Sequence, residues 1–121
     1  LSASCNRVHV KDGHLESVFI KLDEDPSIEE IEAAFANFKG EPQKLKLPSA
    51  PENPIVVRHE KNRPQPRFDR DTGCGMSVVV GRIRKDPIMT FKYMCLGHNT
   101  VRGGAGAGVL SAELLVAKGL A

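Results

Sequence analysis

Tryptophan is absent from the 121 residues, tyrosine occurs once and phenylalanine five times. A dominant charge sign is missing as well: 17 Lys and Arg stand against 15 Asp and Glu, a net charge of +2, and the basic residues are spread out rather than gathered in a block. With few aromatic platforms and no basic block, nothing calls for a nucleic-acid partner. Long apolar runs are also lacking. The longest, around residues 109–116, is broken by Ser111 and Glu113 and is too short to cross a bilayer, so a soluble protein with no membrane partner is expected. The three cysteines, Cys5, Cys74 and Cys95, are widely separated and lack paired metal-ligand spacing. That pattern suits a reducing cytoplasm and predicts no metal. The chain opens on Leu1 without a basic-then-apolar leader and is expected to belong to a longer polypeptide. Its length supports one domain or part of one.

Asp12-Gly13 is the strongest hairpin signal present, because Gly tolerates the positive φ that a two-residue turn needs. Closing a hairpin there pairs Lys11 with His14, His9 with Glu16 and Arg7 with Val18. One face then carries Arg7, His9, Lys11, His14 and Glu16. A guanidinium grips a carboxylate or phosphate in bidentate fashion, and a neutral imidazole beside it exchanges protons near neutral pH. Anion binding with proton transfer is one reading of this face. The solvated polar side of a half-buried hairpin is the other.

Strands are expected at 7–11 and 14–22, the second with Val18, Ile20 and Leu22 alternating. Ser27 and Glu30 form a capping box for a helix that buries Ile28, Ile31, Phe35 and Phe38 and ends at Gly40. Residues 41–54 read as an irregular loop and 55–59 as a short strand. Residues 60–75 alternate Pro, Arg, Asp and Gly, a long connection of the kind tied to function or an interface. Strands at 76–84 and 90–96, split by Asp86-Pro87, lead to a final small-residue helix. The predicted fold class is α+β, a mixed, largely antiparallel sheet covered by helices. Gly103-Gly104-Ala105-Gly106-Ala107-Gly108 follows a strand and opens that helix, but the dinucleotide fingerprint counted from Gly104 needs Gly at 109, where Val109 stands. Small residues packing closely on another element account for it better. His59 and His98 lack ligand spacing and read as structural.

Four blocks in order carry a family resemblance. They are Cys5-Asn6-Arg7-Val8-His9-Val10-Lys11-Asp12-Gly13-His14-Leu15-Glu16-Ser17, then Arg63-Pro64-Gln65-Pro66-Arg67-Phe68-Asp69-Arg70, then Val80-Gly81-Arg82-Ile83-Arg84-Lys85-Asp86-Pro87, and His98-Asn99-Thr100-Val101-Arg102-Gly103. Together they resemble the last third of aspartate-semialdehyde dehydrogenases of the archaeal and fungal type. The resemblance implies the reversible, NADP-dependent conversion of aspartyl β-phosphate to aspartate β-semialdehyde and phosphate, a step toward Lys, Met, Thr and Ile. It implies His14 as the acid–base histidine, Arg7 as the substrate clamp and Asn99 as a residue near the nicotinamide end of the cofactor. The nucleophilic cysteine and the other phosphate-binding residues lie upstream in the family. Cys5, expected to be buried, is given no catalytic role.

By the same resemblance, residues 1–97 are part of the catalytic and dimerisation domain, and 98–121 form a helix that docks on a missing nucleotide-binding domain. Without that domain, Leu110, Leu114 and Ala117 would be left uncovered and could drive self-association. A homodimer or homotetramer is implied, with Arg67, Asp69 and Arg70 exchanging hydrogen bonds across a symmetric contact. The alternative use of Arg63-Pro64-Gln65-Pro66-Arg67 is a docking motif for a separate partner. His9 departs from the family pattern; it would perturb His14 if the two rings met, and changes nothing if it points elsewhere. The competing function is a stand-alone, non-catalytic α+β interaction domain. Under either reading the isolated chain is expected to be inactive.

Overall fold

The computed structural model describes residues 1–120. Its strands are β1 (Ser2–Asn6), β2 (His14–Ile20), β3 (Ile55–Arg58), β4 (Val78–Lys85) and β5 (Phe91–Gly97). They form one sheet in the order β1-β2-β5-β4-β3, antiparallel except for the β3–β4 pair. A parallel pair cannot be closed by a tight turn. The long Pro- and Gly-rich connection between β3 and β4 supplies the crossover. The expected mixed, largely antiparallel sheet is the one formed.

Helix α1 (Ile28–Ala36) begins as its capping box dictates: the Ser27 hydroxyl accepts from the Glu30 amide at 3.1 Å, and the Glu30 carboxylate accepts from the Ser27 amide at 2.7 Å. Ile31 is buried, and Phe35 meets Tyr93 with ring centroids 5.2 Å apart on the sheet face that also carries Val18 and Phe91. The helix stops earlier than its apolar stripe suggests. Asn37 caps it, and Phe38 is left exposed. The chain departs here because Lys39 ties down the Glu52 carbonyl and the Asn53 side chain.

Two short helices occupy stretches expected to be irregular, α2 (Glu41–Lys44) and α3 (Pro66–Asp69), each with a proline in its first turn, where the missing N–H costs nothing. The last helix, α4 (Gly106–Ala117), follows a π-helical turn at Val101–Ala105, and Gly104 breaks the helical geometry between them. Leu110 packs with Leu47 and Met76, flanked by Ala50, Val101 and Leu114. Glu113 accepts from the Ser49 amide at 3.0 Å and its hydroxyl at 2.8 Å. The expectation that Leu110, Leu114 and Ala117 would stand uncovered is corrected for the two leucines, which the chain covers itself, while Ala117 is exposed. The large apolar residues that α4 and its end turn outward are Val109, Leu115, Val116 and Leu120. Gly106 shows why small residues open this helix. A Cβ there would lie 2.8 Å from the Val101 carbonyl oxygen and would strike Met76.

The Arg-rich connection also differs from expectation. Asp69 is not part of a surface contact. Its carboxylate is wholly buried and accepts from Arg58 Nε at 3.2 Å, from Arg63 Nε at 2.6 Å, from Arg63 Nη2 and from the Gln65 amide at 2.7 Å. Arg70 faces Asp71, and Arg67 lies over the exposed Phe68 ring. Burial excludes an acceptor that is already saturated from an intersubunit exchange, so Asp69 is an internal tie between β3 and α3.

Candidate active site

The expected hairpin register is corrected by the structure. Glu16 faces Cys5 rather than His9, and Val18 faces Ala3 rather than Arg7. A two-residue turn of the type expected needs positive φ at both central residues. Gly13 has φ +116°, but Asp12 is not in the positive-φ region, so β1 and β2 are joined by the wider excursion of residues 7–13. Gly13 is required for a second reason: a Cβ there would sit 2.8 Å from Pro66 Cβ, at the start of α3. Its amide donates to Asn99 Oδ1 at 2.6 Å. Residues 86 apart in sequence are thereby pinned together beside His14.

That pin gathers the sequence-predicted residues. Arg7, on the excursion, His14, at the start of β2, and Asn99, just after β5, line one cavity of about 350 Å³, with Lys11 and Asp12 on its wall. Asn99 spends its carbonyl oxygen on Gly13 and keeps two N–H donors. His14 and Asn99 also border a neighbouring cavity of about 370 Å³ that reaches Glu16, Cys95 and Arg102. His9 lines neither cavity, so the arrangement in which it points elsewhere is the one observed.

Cys5 and Cys95 were given no part in this region from sequence, whereas Glu16 was expected on the same face as His14. β1, β2 and β5 bring Cys5, Glu16 and Cys95 into one cross-strand row. Glu16 Oε1 lies 3.4 Å from His14 Nε2 and accepts from the Cys5 thiol at 3.7 Å, and its Oε2 accepts from the Cys95 thiol at 3.8 Å. Cys5 is exposed rather than buried as expected, because β1 is the sheet's edge strand. Burial, followed by the Glu16 charge, pushes the Cys95 thiol up to about 11, so it stays protonated and donates to the carboxylate. The Glu16 carboxylate thus stands beside the His14 ring at the edge of the cavity. The signal for this row was strand pairing, which residue types alone do not reveal.

Residues 1–102 match the semialdehyde dehydrogenase dimerisation domain model. The chain belongs to this family. Among relatives of the semialdehyde dehydrogenase dimerisation domain, the chain is 56% identical over 117 residues to aspartate-semialdehyde dehydrogenase of Methanothermobacter thermautotrophicus, covering 95% of itself and 34% of that protein. It is 49% identical over 121 residues to the NADP malonyl-CoA reductase of Metallosphaera sedula, covering 98% of itself and 34% of the relative. It superposes with TM-score 0.84 and 42% identity on the crystal structure of aspartate-semialdehyde dehydrogenase with NADP from Candida albicans, over 95% of this chain and 33% of that one. The chain spans about a third of the length of the curated relatives it matches.

Proposed function

We propose that this chain is the C-terminal part of an NADP-dependent aspartate-semialdehyde dehydrogenase, and that it supplies the substrate clamp, the acid–base group and one cofactor contact. The observation that carries the reading is the convergence of Arg7, His14 and Asn99 on one cavity. Arg7 presents a fork of donors to the substrate carboxylate. His14, held by Glu16, takes the proton of the attacking thiol contributed by the rest of the protein and returns one as the product leaves. The free N–H donors of Asn99 complement the carbonyl of a nicotinamide carboxamide, and the adjoining cavity leaves room beside it. The cofactor, when bound, supplies or accepts the hydride. No glycine fingerprint for its phosphates exists here, so its main binding belongs to another domain.

The docking of that domain falls to the outward side of α4, where Val109 and Val116 are exposed. A second copy of the chain pairs with this one, in keeping with a dimerisation domain, and the exposed Phe68 beneath Arg67 is available to that contact. A reducing, cytoplasmic setting suits three unpaired cysteines. Among the described residues no helix is long and apolar enough to cross a membrane.

A second reading, reduction of malonyl-CoA, is favoured by the 49% identity to the Metallosphaera sedula enzyme. Both substrates carry a free carboxylate for Arg7. They differ in the amino group, in one carbon of chain length between carboxylate and reacting carbonyl, and in the leaving group, phosphate or thiol. The full-length protein, given NADP and phosphate, is expected to produce NADPH from aspartate semialdehyde at least about tenfold faster than from malonate semialdehyde with coenzyme A, a preference of about 1.4 kcal/mol. The opposite preference would select the second reading, and no turnover in either assay would favour the non-catalytic interaction domain.

A further inference from the structure

We propose that Cys5, His14 and Glu16 form a binding site for Zn²⁺ or a similar transition-metal ion, and that occupancy silences His14. One ligand atom from each residue lies within 4.8 Å of the others. Metal bonds of about 2.0–2.3 Å at tetrahedral angles place neighbouring ligand atoms roughly 3.3–3.8 Å apart. The separation of 3.4 Å between His14 Nε2 and Glu16 Oε1, and of 3.7 Å between Cys5 Sγ and the same oxygen, already match two such edges. The strand register sets this spacing, so binding requires only that Cys5 and His14 turn toward each other. A mixed S, N, O set suits zinc and cobalt, while Mg²⁺ and Ca²⁺ select oxygen alone.

The surroundings support the assignment. Cys5 and His14 are exposed, so an ion can enter from solvent. The Cys95 thiol engages Oε2 and leaves Oε1 aimed at the other two ligands. The fourth coordination position is open to water, as in sites with three protein ligands. A metal on the imidazole draws on its electrons and holds the ring at Cys5 and Glu16, so binding and the proton exchange proposed for His14 exclude each other. The silencing rests on the function proposed for His14; the binding does not.

The test titrates the full-length protein with Co²⁺ and follows the thiolate-to-cobalt charge-transfer absorption, with Zn²⁺ inhibition of NADPH production measured in parallel. The wild type is expected to bind with a charge-transfer band that Zn²⁺ displaces. Cys5→Ser is expected to lose that band, Glu16→Gln to bind at least about tenfold more weakly, and Cys95→Ser to keep the band. Each variant's inhibition is normalised to its own metal-free rate, and the half-inhibitory Zn²⁺ concentration is expected to rise at least about tenfold in Cys5→Ser. A band that survives in both Cys5→Ser and Glu16→Gln, or no band in the wild type, would overturn the site. A Cys5-dependent band with undiminished turnover would keep the site and overturn His14 as the acid–base group.

Discussion

Replacing His14 by Asn in the full-length protein is expected to lower kcat for phosphate-dependent NADPH production by about a hundredfold or more, the usual scale of a positioned acid–base group. Asn is uncharged and no larger than His, so the row of Cys5, Glu16 and Cys95 and the Gly13–Asn99 pin are expected to be retained. It cannot carry a proton. The loss is therefore expected to fall on kcat, with KM changed by less than about threefold, because the substrate contacts assigned to Arg7 are untouched. Steady-state kinetics at matched oligomeric state checks both halves. Unchanged turnover would remove His14 from the chemistry and return the non-catalytic interaction domain to first place.

The largest expected effect on stability is at Asp69. Its carboxylate is wholly buried, and Asp69→Asn leaves Arg58 and Arg63 facing an amide that donates toward them. Breaking a buried ion pair from one side costs about 3–5 kcal/mol. The arginine side chains remain 32% and 20% exposed and keep part of their hydration, which places this variant near the lower end, about 3 kcal/mol. That is a large share of a typical domain stability of about 5–15 kcal/mol. Urea denaturation at neutral pH measures it. The pH dependence gives a second signature. Burial raises the Asp69 carboxyl, but hydrogen bonds from Arg63 and the Gln65 amide, with the charges of Arg63 and Arg58, outweigh it and leave the group below the ordinary carboxylate range. A folded pKa below the unfolded one means that the contribution is present above about pH 4 and is lost as pH falls through the folded value. The gap between wild type and Asp69→Asn is thus expected to narrow on acidification below about pH 4. A gap independent of pH would contradict the ionic account.

Much of the scaffold was legible because it rests on local chemistry. The Ser27–Glu30 capping box, the alternation of Val18 and Ile20 and the break at Asp86-Pro87 each act within a few residues, and each appears where expected. Gly13 was a true signal put to another use: its positive φ serves the approach of Pro66 and the pin to Asn99 rather than a two-residue turn. That difference moved the register and placed Cys5 opposite Glu16. Cys95 joins the same row from 79 residues away, a relation set by the order of strands and by nothing in its neighbours. Asp69 was misplaced for a related reason. An acidic residue among arginines and prolines has a surface composition, and only the fold turns those arginines inward onto it. Arg7, His14 and Asn99 were found through motif resemblance, and the fold gathers all three at one cavity.

The clamp assigned to Arg7 offers the most direct test of the catalytic reading. The measurement is kcat/KM of the full-length protein and of Arg7→Leu with aspartate semialdehyde and with an aldehyde of the same length that lacks the α-carboxylate. Two hydrogen bonds to a charged group are worth about 3 kcal/mol or more together, so the carboxylate-bearing substrate is expected to lose about a hundredfold or more. The carboxylate-free aldehyde, a poor substrate from the start, is expected to change by less than about threefold. Equal losses on both substrates, or no loss on either, would contradict the placement of the substrate carboxylate at Arg7 and with it the assignment of this cavity as the active site.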